Sequence, residues 1–253
     1  MKIFTIKSNL TVLQKICLAG LFIALVTIFQ KLLAVNYLPG LPFVRISFGG
    51  PALIIFSSIL LGPLYGALVG AASDVLGYFI FDMSSYAYFP HVTIVYALLG
   101  LSAYFVFALI RNLKSKKLMF IIEFATFAAF VAFVSIYFFT QVNKELWIKI
   151  LAVSSISALF IGLIIFILLY NKKVKQNYGF NTFQISFCAF VLDALVLLLF
   201  GSLMKSLAFE MDFLFIFSCQ MVVMFFNVTL TTITLSILLK VCKKHMKYEN
   251  NIE

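Results

Sequence analysis

Apolar residues run through this chain in stretches of roughly 17 to 28, separated by short polar segments. Stretches of this length fit helices that cross a bilayer, whose hydrocarbon core takes about 20 residues. A transmembrane barrel would instead show short segments of alternating polarity. The pattern predicts spans near 12–35, 46–62, 63–81, 91–111, 118–140, 147–170, 183–204 and 213–240. The second and third meet at Gly62-Pro63, which predicts a hairpin with almost no loop. The remaining connections are short, so residues 1–253 read as a single integral membrane domain without a soluble domain or linker.

Basic residues give the predicted bundle a direction. If the N-terminus lies inside, one side collects Lys2, Lys7 and Lys15, then the clusters 111–117, 172–175 and 240–247. The other side collects only Lys31, Arg45, Lys144, Lys149 and Lys205. Cytoplasmic loops carry the excess of Lys and Arg, so both termini are expected in the cytoplasm of a multi-pass membrane protein. An even number of spans follows, because losing one would put whole clusters on the wrong side.

Composition closes off other classes. Of the 253 residues, 64% are hydrophobic and 11% charged, with a mean hydropathy of +1.12. A soluble domain carries about 25% charge. A water-soluble globule, a disordered chain and a disulfide-stapled secreted domain are all excluded. The net charge of +10 sits in clusters between spans, where topology explains it without nucleic acid. Cys17, Cys188, Cys219 and Cys242 show no paired spacing and read as isolated membrane-buried thiols. The first apolar run is too long for a cleavable signal and is expected to be retained.

Two longer loops fall on the predicted outer side, Asn36 to Arg45 and Asp82 to His91, both rich in Pro and aromatic residues. Such loops can hold a defined shape over a cavity. Tyr37, Tyr86 and Tyr88 fit that role, or equally the interfacial aromatic belt. No nucleotide-binding loop, H-E-x-x-H, G-x-S-x-G elbow or Cys/His metal cluster occurs. The sequence therefore calls for no catalytic residues, no metal and no cofactor. The two histidines are His91, in an outer loop, and His245, in the cytoplasmic tail.

Costly polar groups remain. Asp74, Asp193 and Asn227 fall near the middle of apolar spans, and Gln220 lies in the outer part of the last one. An Asp at helix centre costs roughly 2.5–3.5 kcal/mol on insertion scales and normally faces a bundle interior or a wet cavity. No Lys or Arg stands at the same depth within a span. Each Asp is either a protonated or hydrogen-bonded structural group, or part of a pocket for a ligand with N–H donors. Arg45 at the outer rim either meets an anionic ligand bidentately, anchors at the headgroups, or pairs with Asp82. Small residues recur at Gly62, Gly66 and Gly70, with Ser73 and Gly77 beyond, and again at Ala19, Gly20 and Ala24. The first stripe suits close helix packing. The second, on a peripheral helix, could also dock a membrane partner.

Three motifs carry a family resemblance: the loop Val44-Arg-Ile-Ser-Phe-Gly-Gly-Pro51, the hairpin Gly62-Pro-Leu-Tyr-Gly-Ala-Leu-Val-Gly-Ala-Ala-Ser-Asp-Val-Leu-Gly77, and Tyr88-Phe-Pro-His-Val-Thr93. Together they resemble the substrate-binding S component of energy-coupling factor (ECF) transporters, most closely the folate-specific branch. The likeness covers residues 12–111 well and the last two spans loosely. It implies an all-α, six-helix bundle that takes a vitamin from outside, partnered by a transmembrane coupling subunit and two ATPase subunits. ATP hydrolysis would belong to those partners, so the chain itself is not expected to be an enzyme. In such proteins small residues of the first helix face the coupling subunit, here Gly20 and Ala24 with Ala19 beside them. The eight predicted spans exceed the family's six, and the surplus looks like a transmembrane hairpin, 118–170, inserted before the final pair.

The function expected is capture of folate or a reduced folate. Asp74, with Asp193 or Asn227, would take the pterin N–H groups. Phe48, Tyr88 and Phe89 would stack on the ring, and Arg45 would meet the glutamate carboxylates. Ser47, His91 and Gln220 complete the candidate substrate site. The alternatives are an S component for pantothenate, riboflavin or a queuosine precursor, and an autonomous secondary transporter, for which no convincing internal repeat exists.

Overall fold

The computed structural model describes residues 6–7, 10–32, 35–38, 41–47, 49–83, 88–113, 115–140, 146–173, 182–242 and 247–248. Helix α1 (Val12–Lys31) opens on a reciprocal cap: Thr11 Oγ1 accepts from the Gln14 amide and Gln14 Oε1 accepts from the Thr11 amide. After it, β2 (Val35–Leu38) and β3 (Leu41–Ile46) form an antiparallel hairpin. A two-residue pairing of β1 (Ile6–Lys7) with β4 (Lys247–Tyr248) brings the two ends of the chain together.

Helix α2 (Gly50–Leu61) corrects the predicted span 46–62. It has 12 residues, all buried, so it is only about 18 Å long at 1.5 Å per residue and cannot cross a core of about 30 Å alone. Residues 41–46 are paired in the hairpin, which delays the start of the helix. Gly49 at φ +87° and Pro51 then set its first turn. Gly62, at φ +105°, reverses the chain directly into α3. Among the described residues, the eight predicted spans thus become seven helices long enough to cross a membrane plus this buried half-length one.

Helix α3 (Pro63–Gly77) continues through a π turn, Tyr78–Asp82, and α4 is Pro90–Arg111. Their shared seam is made of backbone. A Cβ at Gly100 would stand 2.1 Å from the Gly66 carbonyl oxygen, and one at Gly70 would stand 2.2 Å from that of Tyr96. Only glycine permits this approach, so the predicted stripe serves packing within the chain. Thr27 joins α1 to α3 by donating to the carbonyls of Ile23 and Ser73, at 2.8 and 3.2 Å.

Helices α5 (Lys116–Thr140) and α6 (Leu146–Lys173) form an antiparallel hairpin against α7 (Thr182–Leu192) and α9 (Phe213–Cys242). Aromatic rings make the junction: Phe127 lies 4.0 Å from Phe160 and 4.7 Å from Phe190, and Phe130 lies 5.5 Å from Phe217, between ring centroids. Between α7 and α9 the chain runs on through a π stretch, Asp193–Phe200, into α8 (Gly201–Phe209). Outward faces carry exposed Leu, Ile and Phe on every long helix, as expected of helices that meet lipid. The result is an all-α polytopic membrane protein.

Candidate functional site

A cavity of about 260 Å³ lies at the end of the bundle where α1 stops, the β2–β3 hairpin sits and α4 begins. Helical periodicity builds its walls. On α3 and its π turn, Asp74, Tyr78 and Asp82 recur every four residues and face inward together. Leu197, Gly201, Lys205 and Phe209 do the same along the π stretch and α8. Helix α4 adds His91, Val92, Val95 and Tyr96, and α9 adds Gln220, Val223 and Asn227. Gln30 and Lys31 close it from α1, with Ser47 and Pro51 from the segment entering α2.

Asp74 is the most constrained polar group. Thr93 Oγ1 donates to its Oδ2 at 2.6 Å, and the Tyr88 hydroxyl lies 2.6 Å from the same Oγ1. The single Thr93 proton is committed to the carboxylate, so Tyr88 is the donor to Thr93. The chain Tyr88–Thr93–Asp74 leaves one lip of the cavity fixed in shape. At the other lip, Lys31 donates to Asp82 in an ion pair whose side chains are 4% and 18% exposed. The Lys31 stem reaches it across Gly77, where a Cβ would stand 2.6 Å from Lys31 Cε.

Aromatic rings form one wall. Tyr78 and Tyr88 lie 5.1 Å apart, Phe89 and Phe209 5.1 Å, and Phe89 and His91 5.4 Å. Lys205 exerts a Coulombic influence on both His91 and Asp193, and Asp74 acts on His91. The buried Asp193 stands behind the wall and hydrogen-bonds Asn227, which does reach the cavity. Three side chains on the lining keep buried polar atoms without a hydrogen bond: Gln30 at both Nε2 and Oε1, His91 at Nε2 and Asn227 at Oδ1. Among the described residues no cluster of three or more His, Cys, Asp or Glu side chains could hold a metal ion.

Of the predicted substrate residues, Ser47, Asp74, Tyr88, Phe89, His91, Gln220 and Asn227 line the cavity together. Asp193 does not line it, since its side chain turns toward Asn227. Lys205, on α8 beyond the predicted span 183–204, lines the same cavity as Asp74 and Asn227. Arg45 lies on β3, and its side chain, like the whole of Phe48, falls outside the described residues. In the second small-residue stripe, Gly20 and Ala24 face outward while Ala19 is buried in the core. Ala19 is therefore not available to a partner.

Sequence reading missed Gln30, Lys31, Tyr78, Lys205 and Phe209 as lining residues. The four-residue repeats 74–78–82 and 193–197–201–205–209 were the available signal for three of them. Gln30 and Lys31 had none, because they read as the polar end of a span.

Long apolar helices around a cavity lined by aromatic and polar side chains make this a multi-pass membrane protein with an internal pocket. A family model described as "ECF-type riboflavin transporter, S component" matches residues 10–152, more than half of the chain. The chain belongs to the S components of ECF-type transporters. It is also similar to the "Folate transporter FolT" of Clostridium novyi (strain NT), 29% identical over 139 residues, which are 55% of this chain and 70% of that protein. No solved structure matches it significantly. It is thus a vitamin-uptake S component, a transporter subunit rather than an enzyme, with a vitamin as ligand and an ECF module as partner in general.

Proposed function

We propose that this chain is the substrate-binding subunit of an ATP-driven uptake system in the bacterial cell membrane, and that it captures folate or a reduced folate from outside. The observation that carries this reading is the carboxylate of Asp74, held by Thr93 at the edge of an aromatic-walled cavity. A fixed acceptor beside stacking surfaces suits a planar ring with N–H donors, such as a pterin. Similarity to a protein named as a folate transporter supports the same choice.

In this reading Tyr88 and Phe89 flank the ring, and Asn227, backed by Asp193, accepts a further N–H. His91, Gln220 and Ser47 complete the lining. Lys205, which lines the cavity, and Arg45 meet the glutamate carboxylates, and Phe48 stacks on the ring with Tyr88 and Phe89. Both termini are cytoplasmic, with β3 and α2 together making one passage beside the seven long helices, so the cavity opens outward. A coupling subunit and two ATPases supply the energy, and Gly20 and Ala24 on the outward face of α1 meet the coupling subunit. The hairpin α5–α6, which supplies none of the cavity-lining residues, is an addition to a six-helix bundle. Riboflavin is the second reading, favoured by the description of the matching family model.

Mass spectrometry of the small molecule retained after detergent purification separates the two. Folate binding measured on wild type, Asp74→Ala and Arg45→Ala then tests the site. A retained folate and weakened binding in Asp74→Ala are expected. Retained riboflavin would overturn the folate choice, and unchanged affinity in both variants would overturn the site.

A further inference from the structure

Gln30 ends α1 at 2% exposure, lines the cavity, and makes no hydrogen bond with the protein through either amide atom. Buried polar groups are almost always paired, and an unmatched amide costs roughly 1–3 kcal/mol on protein mutational scales. The fold makes room for this side chain. A Cβ at Gly50 would stand 2.4 Å from Gln30 Cγ, so glycine there seats the amide against the start of α2. Asn227, 7% exposed on α9, hydrogen-bonds Asp193 and keeps a partnerless Oδ1. Because Oδ1 has no partner, the Asn227 amide nitrogen makes the bond to Asp193, and Oδ1 remains as an acceptor.

Besides His91 Nε2, the unmatched groups of the lining are neutral amides. Gln30 offers one donor and one acceptor side by side, and Asn227 offers one acceptor. Of the charged groups on the lining, Lys31 is already engaged with Asp82, and Asp74 with Thr93. A single side-chain amide is matched in full by a planar edge carrying an adjacent acceptor and donor, as in a lactam, an imide or an aminopyrimidinone.

We propose that Gln30 recognises the donor–acceptor edge of a heteroaromatic ring bound in this cavity, with Asn227 accepting a further N–H from the ligand. This rests on reading the cavity as the vitamin site, and it assigns part of the recognition to α1. Pterins and flavins both carry such an edge, so the inference does not depend on which of the two binds.

The test uses the full chain in detergent. Equilibrium binding of folic acid and of riboflavin to wild type selects the ligand. An analogue methylated at N3, which removes the donor of the lactam edge that both rings share, provides the comparison: 3-methylfolic acid or 3-methylriboflavin. Gln30→Met, which keeps the length and removes the amide, should weaken the natural ligand about tenfold or more. It should cause little further loss with the analogue, which wild type already binds less tightly. Gly50→Ala should weaken the natural ligand too, by displacing Gln30. Should Gln30→Met not yield monodisperse protein, Gly50→Ala and the wild-type analogue comparison decide. Wild-type affinity in Gln30→Met, or an equal loss for ligand and analogue, would overturn the inference and leave the vitamin site standing. So would equal wild-type affinity for the ligand and its analogue. Binding of neither vitamin by wild type would overturn both.

Discussion

Gly70→Ala probes the link between helix packing and the cavity. Gly70 lies one turn before Asp74 on α3 and faces Tyr96, three residues beyond Thr93 on α4. An alanine Cβ would stand 2.2 Å from the Tyr96 carbonyl oxygen, where ordinary contact begins at 3.4 Å. The obstacle is backbone, so no rotamer change relieves it, and the helices must part locally by the difference, about 1.2 Å. That would stretch the 2.6 Å hydrogen bond from Thr93 to Asp74 to about 3.8 Å, which is no longer a hydrogen bond. Overpacking costs about 1–3 kcal/mol, and a hydrogen bond to a charged group about 1.5–3. A combined loss of about 3 kcal/mol corresponds to a fall of about 6–12 °C in the unfolding midpoint for a chain of this size. The assay is the midpoint of detergent-solubilised protein, followed by loss of the monodisperse peak after heating, together with vitamin binding. Gly20→Ala is the control, because nothing stands within 4 Å of its added Cβ. If Gly70→Ala and Gly20→Ala both matched wild type in stability and binding, the account of the α3–α4 seam would be wrong.

Three further outcomes are expected. Thr93→Val keeps the shape but removes both hydrogen bonds of the Tyr88–Thr93–Asp74 chain. Its vitamin affinity should fall by about tenfold, with Thr93→Ser near wild type; equilibrium binding checks both. Lys31→Met or Asp82→Asn alone removes one member of the buried ion pair, so each should lower the midpoint. The double variant should lose less than the sum, and a thermal double-mutant cycle measures this coupling. Glu123 on α5 is 3% exposed and neither carboxylate oxygen has a hydrogen-bond partner. Glu123→Met should therefore raise the midpoint, by about 2–4 °C per kcal/mol recovered, and a lowered midpoint would show that the carboxylate is held by a partner.

Membrane character, the positions of most helices and the polar residues inside them were legible in the chain itself. The reason is physical: lipid forces each crossing segment to be long, apolar and internally hydrogen-bonded, so insertion leaves its mark on consecutive residues. Asp74, Gln220 and Asn227 stood out because a polar group within such a segment is costly wherever it points. Gly62-Pro63 announced its turn because the conformation there is one that few other residues adopt.

Which polar groups share a space is a property of helix rotation and depth, and only the tertiary structure decided it. Asp74 and Asn227 reach the cavity, whereas Asp193 turns to Asn227 behind it. Lys205 joined them because the helix runs past the predicted end at 204 as far as Phe209. Residues 46–62 lost their place as a full span because hairpin pairing consumed the first of them and neighbouring helices buried the rest, so lipid never measured the length of α2. Gln30 is the plainest case. Its neighbours in sequence make it the polar end of a helix, and only the approach of Gly50 seats it, buried, with its amide unmatched.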